Sequence, residues 1–178
     1  MAEETKEKWL NYVALTTVIF AVFATLSTFN GAKYSTRSVL SQTQAANQWA
    51  YYQAKSIKGY LYENQMESME MEMQKSRGTM SKPTAEAYEK KMDFYRQKIE
   101  KYDAEKKDIF KEAKQMESVR DASQKHSSIF GLAVIFLQIA ILLCSISALM
   151  KKKPLWILGS VTGLVGSLYF VNGFFLFF

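Results

Sequence analysis

The chain has few of the residues that interrupt helices and few of those that carry chemistry. Among 178 residues it has two prolines, one cysteine and one histidine. The single cysteine, Cys144, excludes an intrachain disulfide. The lone His126 has no cysteine or acidic partners at metal-ligand spacing. No nucleophile–base pattern and no phosphate-binding loop is visible either. We therefore expect neither an enzyme nor a protein with a bound cofactor.

Charge is also missing, from three long and mostly apolar stretches at residues 9–29, 129–150 and 155–178. Each is long enough for a helix to cross about 30 Å of hydrocarbon. The sequence therefore predicts an all-α membrane protein with three transmembrane helices, which excludes a soluble single-domain protein. Because no Asp, Glu, Lys, Arg or His lies in any span, a proton relay or ion-coupled transporter is disfavoured.

These stretches divide the chain into six segments. We predict a short tail at 1–8, a transmembrane helix at 9–29, an extramembrane segment at 30–128, a second transmembrane helix at 129–150, a basic turn at 151–154 and a third transmembrane helix at 155–178. The tail is net acidic and the first apolar run is longer than a usual signal-peptide core. We interpret that run as a retained anchor.

The extramembrane segment has one strong break, at residues 77–83. Gly78 suits a helix C-terminus, and Ser81 followed by Pro83 suits a new helix start. Each arm is then about 40 residues, or about 60 Å, long. We predict an antiparallel helical hairpin, a coiled coil, with its turn near 77–83. In such a hairpin residue i faces residue 160 − i, so Lys55 lies near Glu105, and Glu63 lies near Arg96 or Lys98.

Each arm carries a stripe of side chains at the 3.5-residue period of a coiled coil. On the second arm the stripe comprises Tyr88, Met92, Tyr95, Ile99, Tyr102, Ile109, Ala113 and Met116. On the first arm it is less regular and comprises Leu40, Ala50, Ala54, Ile57, Leu61 and Met71, with Thr43, Asn47, Asn64 and Ser68 as polar members. Polar members of a seam often fix register or oligomeric state.

Aromatic residues of the first arm point in several helical directions, and one partner helix does not cover them all. A helix with apolar groups on several faces packs among more than one neighbour. We therefore predict a homo-oligomer, with Trp49, Tyr52, Ile57 and Leu61 as assembly residues. In the third span Gly159 and Gly163 form a small-residue pattern that serves either packing within one protomer or self-association.

Two further groups of residues stand out. The amides of Gln138 and Asn172 lie within spans, where polar side chains seek partners on neighbouring helices. The thioethers of Met66, Met69, Met71 and Met73 are soft ligands that suit Cu(I). Methionines also fill gaps between packed helices, and we prefer that interpretation.

The net charge of +6 is not gathered in one patch, so we expect contact with the lipid bilayer and no nucleic acid. Basic residues near the span ends are balanced on the two sides. The compact turn Lys151–Lys153 decides the orientation, because the segment 30–128 exceeds the ~60-residue limit of the positive-inside rule. We predict that the N-terminus and this turn are cytoplasmic and the hairpin is periplasmic or extracellular.

Residues 46–58 read Ala-Asn-Gln-Trp-Ala-Tyr-Tyr-Gln-Ala-Lys-Ser-Ile-Lys, and Leu61-Tyr62-Glu63 follow. This run resembles the bacterial "domain of unknown function 4337" proteins, and the order of spans is similar along the chain. The resemblance implies a bacterial inner-membrane protein and brings no activity or catalytic residues with it.

The function expected from these features is that of a non-enzymatic, homo-oligomeric scaffold that projects a helical bundle from the membrane. Two alternatives stay open at this point. One is an oligomeric pore or channel lined by hydroxyls and amides. The other is an accessory subunit of a larger complex with an unidentified membrane protein partner.

A cysteine introduced near Gly78 tests the predicted orientation. Intact cells should be labelled at this position by an impermeant thiol reagent, because the hairpin tip lies outside the cytoplasm. The unchanged chain, whose Cys144 lies within a span, is the control. Labelling that requires cell lysis would contradict the orientation.

Overall fold

The computed structural model describes residues 2–177, with side chains from Lys8 onward. It consists of three helices: α1 at Ala2–Lys75, α2 at Lys82–Met150 and α3 at Lys153–Phe175. No strand occurs among residues 2–177. The predicted all-α class is therefore confirmed. All three helices are long and apolar enough to cross a membrane.

The break between α1 and α2 is made by the residues that the sequence offers for it. Gly78 has a φ of 105°, a left-handed conformation that glycine adopts without steric cost. The Ser81 hydroxyl accepts a hydrogen bond from the backbone N–H of Thr84 at 3.4 Å, as an N-cap residue does. Pro83 then lies in the first turn of α2, where its missing N–H costs no helical hydrogen bond.

The chain forms two compact units, the first made of Met1–Leu40 and Val119–Phe178 and the second of Ser41–Ser118. In the first unit, buried glycines let α3 pack closely against α1 and α2. A Cβ atom at Gly166 would lie 2.8 Å from Leu137 Cγ and 3.0 Å from the Leu137 backbone nitrogen. Many large apolar side chains of this unit face outward, as expected of surfaces that contact lipid.

In the second unit α1 and α2 run antiparallel. Lys55 pairs with Glu105, Gln48 with Glu112 and Gln65 with Tyr95, and each pair obeys the expected relation between i and 160 − i. The prediction that Lys55 lies near Glu105 is confirmed. Of the two partners predicted for Glu63, Arg96 binds Asp93 on its own helix at 2.8 Å. The other, Lys98, places its ammonium group 5.1 Å from the centre of the Phe94 ring.

The stripe predicted on the second arm does face α1. Tyr95, Ile109 and Ala113 are buried, and the other members of the stripe are partly buried. Lys106, the one charged residue in this register, is also partly buried. It places its ammonium group 5.9 Å from the centre of the Tyr60 ring and binds Asp103 at 2.7 Å.

The stripe predicted on the first arm does not face α2, and this prediction is wrong within the protomer. Its members are exposed, with Ile57 at 52% and Leu61 at 58%. Helix α1 instead contacts α2 through an adjacent stripe in which Ala45 and Gly59 are buried. Between these two small residues and beyond them the same stripe carries Tyr52, Tyr62 and Met66, which are partly buried.

Substitution of Gly166 by alanine tests the packing of α3. We expect Gly166→Ala to destabilise the first unit by about 1–3 kcal/mol, because the added methyl group overlaps Leu137. Gly131→Ala is the control, since no heavy atom lies within 4 Å of its added Cβ. Thermal unfolding in detergent measures both. Equal unfolding temperatures for the two variants would contradict the close approach of α3.

Candidate functional site

Trp49 is held inside the protomer by a cluster of aromatic and charged side chains. Its indole N–H donates to Glu117 Oε1 at 2.9 Å, and its ring meets the Phe110 and Tyr52 rings edge-on. Lys114 lies 5.5 Å from the centre of the indole ring and donates to Glu117 Oε2 at 2.8 Å. The indole N–H of Trp49 therefore has a hydrogen-bond partner on α2, and its ring contacts Phe110 and Lys114 of the same helix.

A second cluster lies one to two turns further along α1, around Lys55. Its ammonium group pairs with Glu105 at 2.5 Å and also lies near the rings of Tyr51 and Tyr102, at 5.1 and 5.3 Å from their centres. Glu105 in turn lies 3.8 Å from Lys101. The hydrogen bond to Lys55 lowers the pKa of Glu105, and the hydrogen bond to Glu105 raises the pKa of Lys55.

The predicted assembly residues on α1 therefore divide into two groups. Trp49 and Tyr52 are partly buried against α2, whereas Ile57 and Leu61 are more than half exposed. Tyr51 and Tyr60 are exposed as well. As expected from the aromatic content, one partner helix does not cover every apolar face of this arm. Whether a second chain does so stays a prediction.

Gly159 and Gly163 in α3 are buried within the protomer. A Cβ at Gly159 would lie 3.0 Å from Cys144 Sγ and 3.1 Å from Leu143 Cβ, and one at Gly163 would overlap the Phe20 ring. Packing within the protomer thus uses the small size of both residues. Their role in self-association stays a prediction.

The two amides predicted to lie within spans have different environments. Asn172 is buried, and its Oδ1 accepts a hydrogen bond from the Phe177 backbone N–H at 2.6 Å. Its carbonyl oxygen accepts one from Leu176 at 2.8 Å, so Asn172 closes the C-terminal end of α3. Gln138 is exposed, and its side chain has no hydrogen-bond partner among residues 8–177.

His126 has a structural role that the sequence analysis did not identify. Its Nδ1 lies 2.7 Å from the carbonyl oxygen of Gly173, and its ring stacks on Tyr34 with 4.4 Å between centres. It thereby joins α1, α2 and α3 within the first unit. Gly173 lies 47 residues away along the chain, and no local pattern marks the pair.

The methionines proposed as Cu(I) ligands lie on two sides of α1. Met66, Met69 and Met73 are partly buried on the side that faces α2. Met71 is 51% exposed on the opposite side, so the four sulfur atoms do not converge around one ion. No group of three or more His, Cys, Asp or Glu residues in the described part of the chain is arranged to hold a metal.

Comparison with known proteins identifies a family. Residues 9–176 match the family described as "Domain of unknown function (DUF4337)". No curated protein and no solved structure matches the chain.

Glu105→Gln tests the ion pair between Lys55 and Glu105. We expect a lower unfolding temperature at neutral pH, because the lowered pKa of Glu105 means that its charged form is favoured in the folded state. The contribution of charged Glu105 to stability is fully present above its ordinary pKa of 4.5 and is lost as the pH falls through the lowered pKa. Because the pKa of Lys55 is raised, the charged form of Lys55 also contributes to the stability of the folded state. That contribution is fully present below pH 10.5 and is lost as the pH rises through the raised pKa.

Asp108→Asn is the matched control, since Asp108 forms an exposed pair with Lys111 at 3.8 Å. Thermal unfolding followed by circular dichroism between acidic and alkaline pH measures both variants. Equal effects of the two substitutions at neutral pH would contradict the structural role of the Lys55–Glu105 pair.

Proposed function

Because the chain belongs to the DUF4337 family, whose description names no activity, we propose its function from the geometry of the protomer. The protein is a non-enzymatic, homo-oligomeric scaffold of the bacterial inner membrane. Three transmembrane helices anchor it, and residues 41–118 form an extramembrane helical coiled-coil hairpin through which copies assemble.

The exposure of Ile57 and Leu61 is the observation that carries this proposal. Both are large aliphatic residues in the extramembrane arm, and both are more than half exposed in the protomer. They lie four residues apart, one turn along the same face of α1. Contiguous apolar surface outside the bilayer marks a site of protein–protein contact.

Gln138 supports assembly independently, from within the membrane. Its amide is exposed near the middle of the second span and has no partner in the described part of the protomer. An unpaired amide in hydrocarbon costs several kcal/mol. A helix of another copy that hydrogen-bonds to this side chain removes that cost.

Several polar groups of the extramembrane unit are used to hold its two helices together. Glu105 binds Lys55, Glu112 accepts a hydrogen bond from Gln48, and Glu117 accepts hydrogen bonds from Trp49 and Lys114. Carboxylates that are fixed in such pairs orient the two helices relative to each other. This supports a structural role for the arm.

The proposed orientation places the N-terminus and the turn Lys151–Lys153 in the cytoplasm, with the hairpin in the periplasm. The short basic turn follows the positive-inside rule, and the anionic cytoplasmic leaflet attracts its ammonium groups. Lys153 lies 6.0 Å from the centre of the Trp9 ring, so the turn packs against the start of the first span.

Mass measurement of the purified protein in detergent tests the proposal. We expect a multiple of the 20.4 kDa protomer mass after subtraction of bound detergent. Ala54→Glu should reduce the oligomer, because it places a charge beside Ile57 and Leu61 on the exposed face. Ala104→Glu, the same substitution at an exposed alanine of α2, should leave the mass unchanged.

A strict monomer of the unchanged chain, in mild detergent and in lipid nanodiscs, would contradict the proposed homo-oligomer.

A further inference from the structure

The exposed apolar residues of α1 belong to a longer stripe along the extramembrane arm. This outer stripe comprises Thr43, Asn47, Ala50, Ala54, Ile57, Leu61, Asn64, Ser68 and Met71. Every member is exposed, and none is charged. The stripe spans about 42 Å of helix at 1.5 Å per residue.

Helix α2 provides an internal comparison in the same unit. Its own outward-facing positions at the same spacing are Ala87, Lys90, Phe94, Gln97, Lys101, Ala104, Asp108, Lys111 and Gln115, all of them exposed. Four of these nine are charged. An exposed helix face ordinarily carries charges, as α2 does. The lack of charge on the outer stripe is therefore specific to α1 and indicates that another surface covers it.

The spacing of the outer stripe indicates what kind of surface this is. Its members alternate at intervals of three and four residues without interruption, which is the seam of a coiled coil. A second helix therefore fits along its whole length. Residues beside the stripe are also largely uncharged between residues 44 and 65: Gln44, Ala46, Tyr51, Gln53, Tyr60 and Gln65, with Lys58 as the exception.

The polar members of the stripe identify the partner. Asn47 and Asn64 are separated by apolar Ala, Ile and Leu, and each needs a hydrogen-bond partner once the seam is covered. A second copy of the same stripe, parallel and in register, places Asn47 opposite Asn47 and Asn64 opposite Asn64. Asn47 and Asn64 occupy the two different core positions of the heptad, and a paired asparagine at an a position fixes register in two-stranded coiled coils.

We propose that the outer stripe is the interface with the same stripe of a second copy of this chain, in parallel and in register. This inference rests on the proposed membrane-anchored oligomer. Because both copies are anchored in one bilayer by identical spans, each arm leaves the membrane at the same residue and runs in the same direction. Identical residues then lie at the same height, and apolar side chains meet apolar ones.

Disulfide cross-linking in native membranes tests the interface and its direction. Ser68→Cys introduces a thiol near the far end of the stripe, and Ser118→Cys introduces one at an exposed serine of α2. The buried Cys144 is present in both variants, and the unchanged chain gives the background. With mild oxidant, Ser68→Cys should convert the 20.4 kDa band to a band of twice that mass, and Ser118→Cys should not.

A third variant, Thr43→Cys, distinguishes the two directions. In the parallel arrangement it cross-links to itself, and it does not cross-link to Ser68→Cys when the two variants are expressed together. Cross-linking between Thr43→Cys and Ser68→Cys chains alone would overturn the parallel arrangement. Cross-linking of Ser68→Cys no stronger than that of Ser118→Cys would overturn the interface. If the unchanged chain is nevertheless oligomeric by mass, the proposed homo-oligomer stands and this interface is wrong.

Discussion

Helix α1 contacts α2 through the stripe that contains Ala45 and Gly59, and this choice of face determines which side chains of the arm lie outside. Ala45 and Gly59 are buried between the two helices, and the aromatic rings of Trp49, Tyr52 and Tyr62 fill the space beside them. Because this stripe faces α2, the aliphatic residues Ile57 and Leu61 of the adjacent stripe are turned outward. The arm therefore has an internal interface and an uncharged outer stripe.

The charged residues of this arm secure the internal interface. Lys55 and Glu105 lie at the same level of the two helices, surrounded by the Tyr51 and Tyr102 rings. An ion pair in this partly shielded position specifies which residues lie opposite one another, and a shift of one turn would separate the charges. The hydrophobic seam alone tolerates such shifts more easily, since many of its members are similar in size.

The sequence predicts the helices, their break and one of the two seams for identifiable reasons. Segment 30–128 has no proline other than Pro83, so Gly78 and Pro83 together locate the turn. The 3.5-residue period locates Tyr95 and Ile109 at the interface. On α1 the same reasoning selects the wrong face. Hydrophobic periodicity finds Ile57 and Leu61, whereas the face that contacts α2 mixes small and polar residues with aromatic residues and methionines, so its hydrophobic pattern is weak.

The sequence alone does not reveal the roles of residues whose contacts lie far away along the chain. The bond between His126 and the carbonyl of Gly173 joins segments 47 residues apart. The close approach of Gly166 to Leu137 likewise depends on how α3 packs against α2. Such roles follow from tertiary packing, so they become visible only when the helices are assembled.

The distance between spin labels at residue 54 of two copies in lipid nanodiscs tests the central claim most directly. The labels are attached to Ala54→Cys, and for comparison to Ala104→Cys, in a chain that also carries Cys144→Ala. Assembly through the outer stripe predicts one dominant short distance for residue 54 and a longer one for residue 104. An absent or broad distribution at residue 54, or a shorter distance at residue 104, would contradict it.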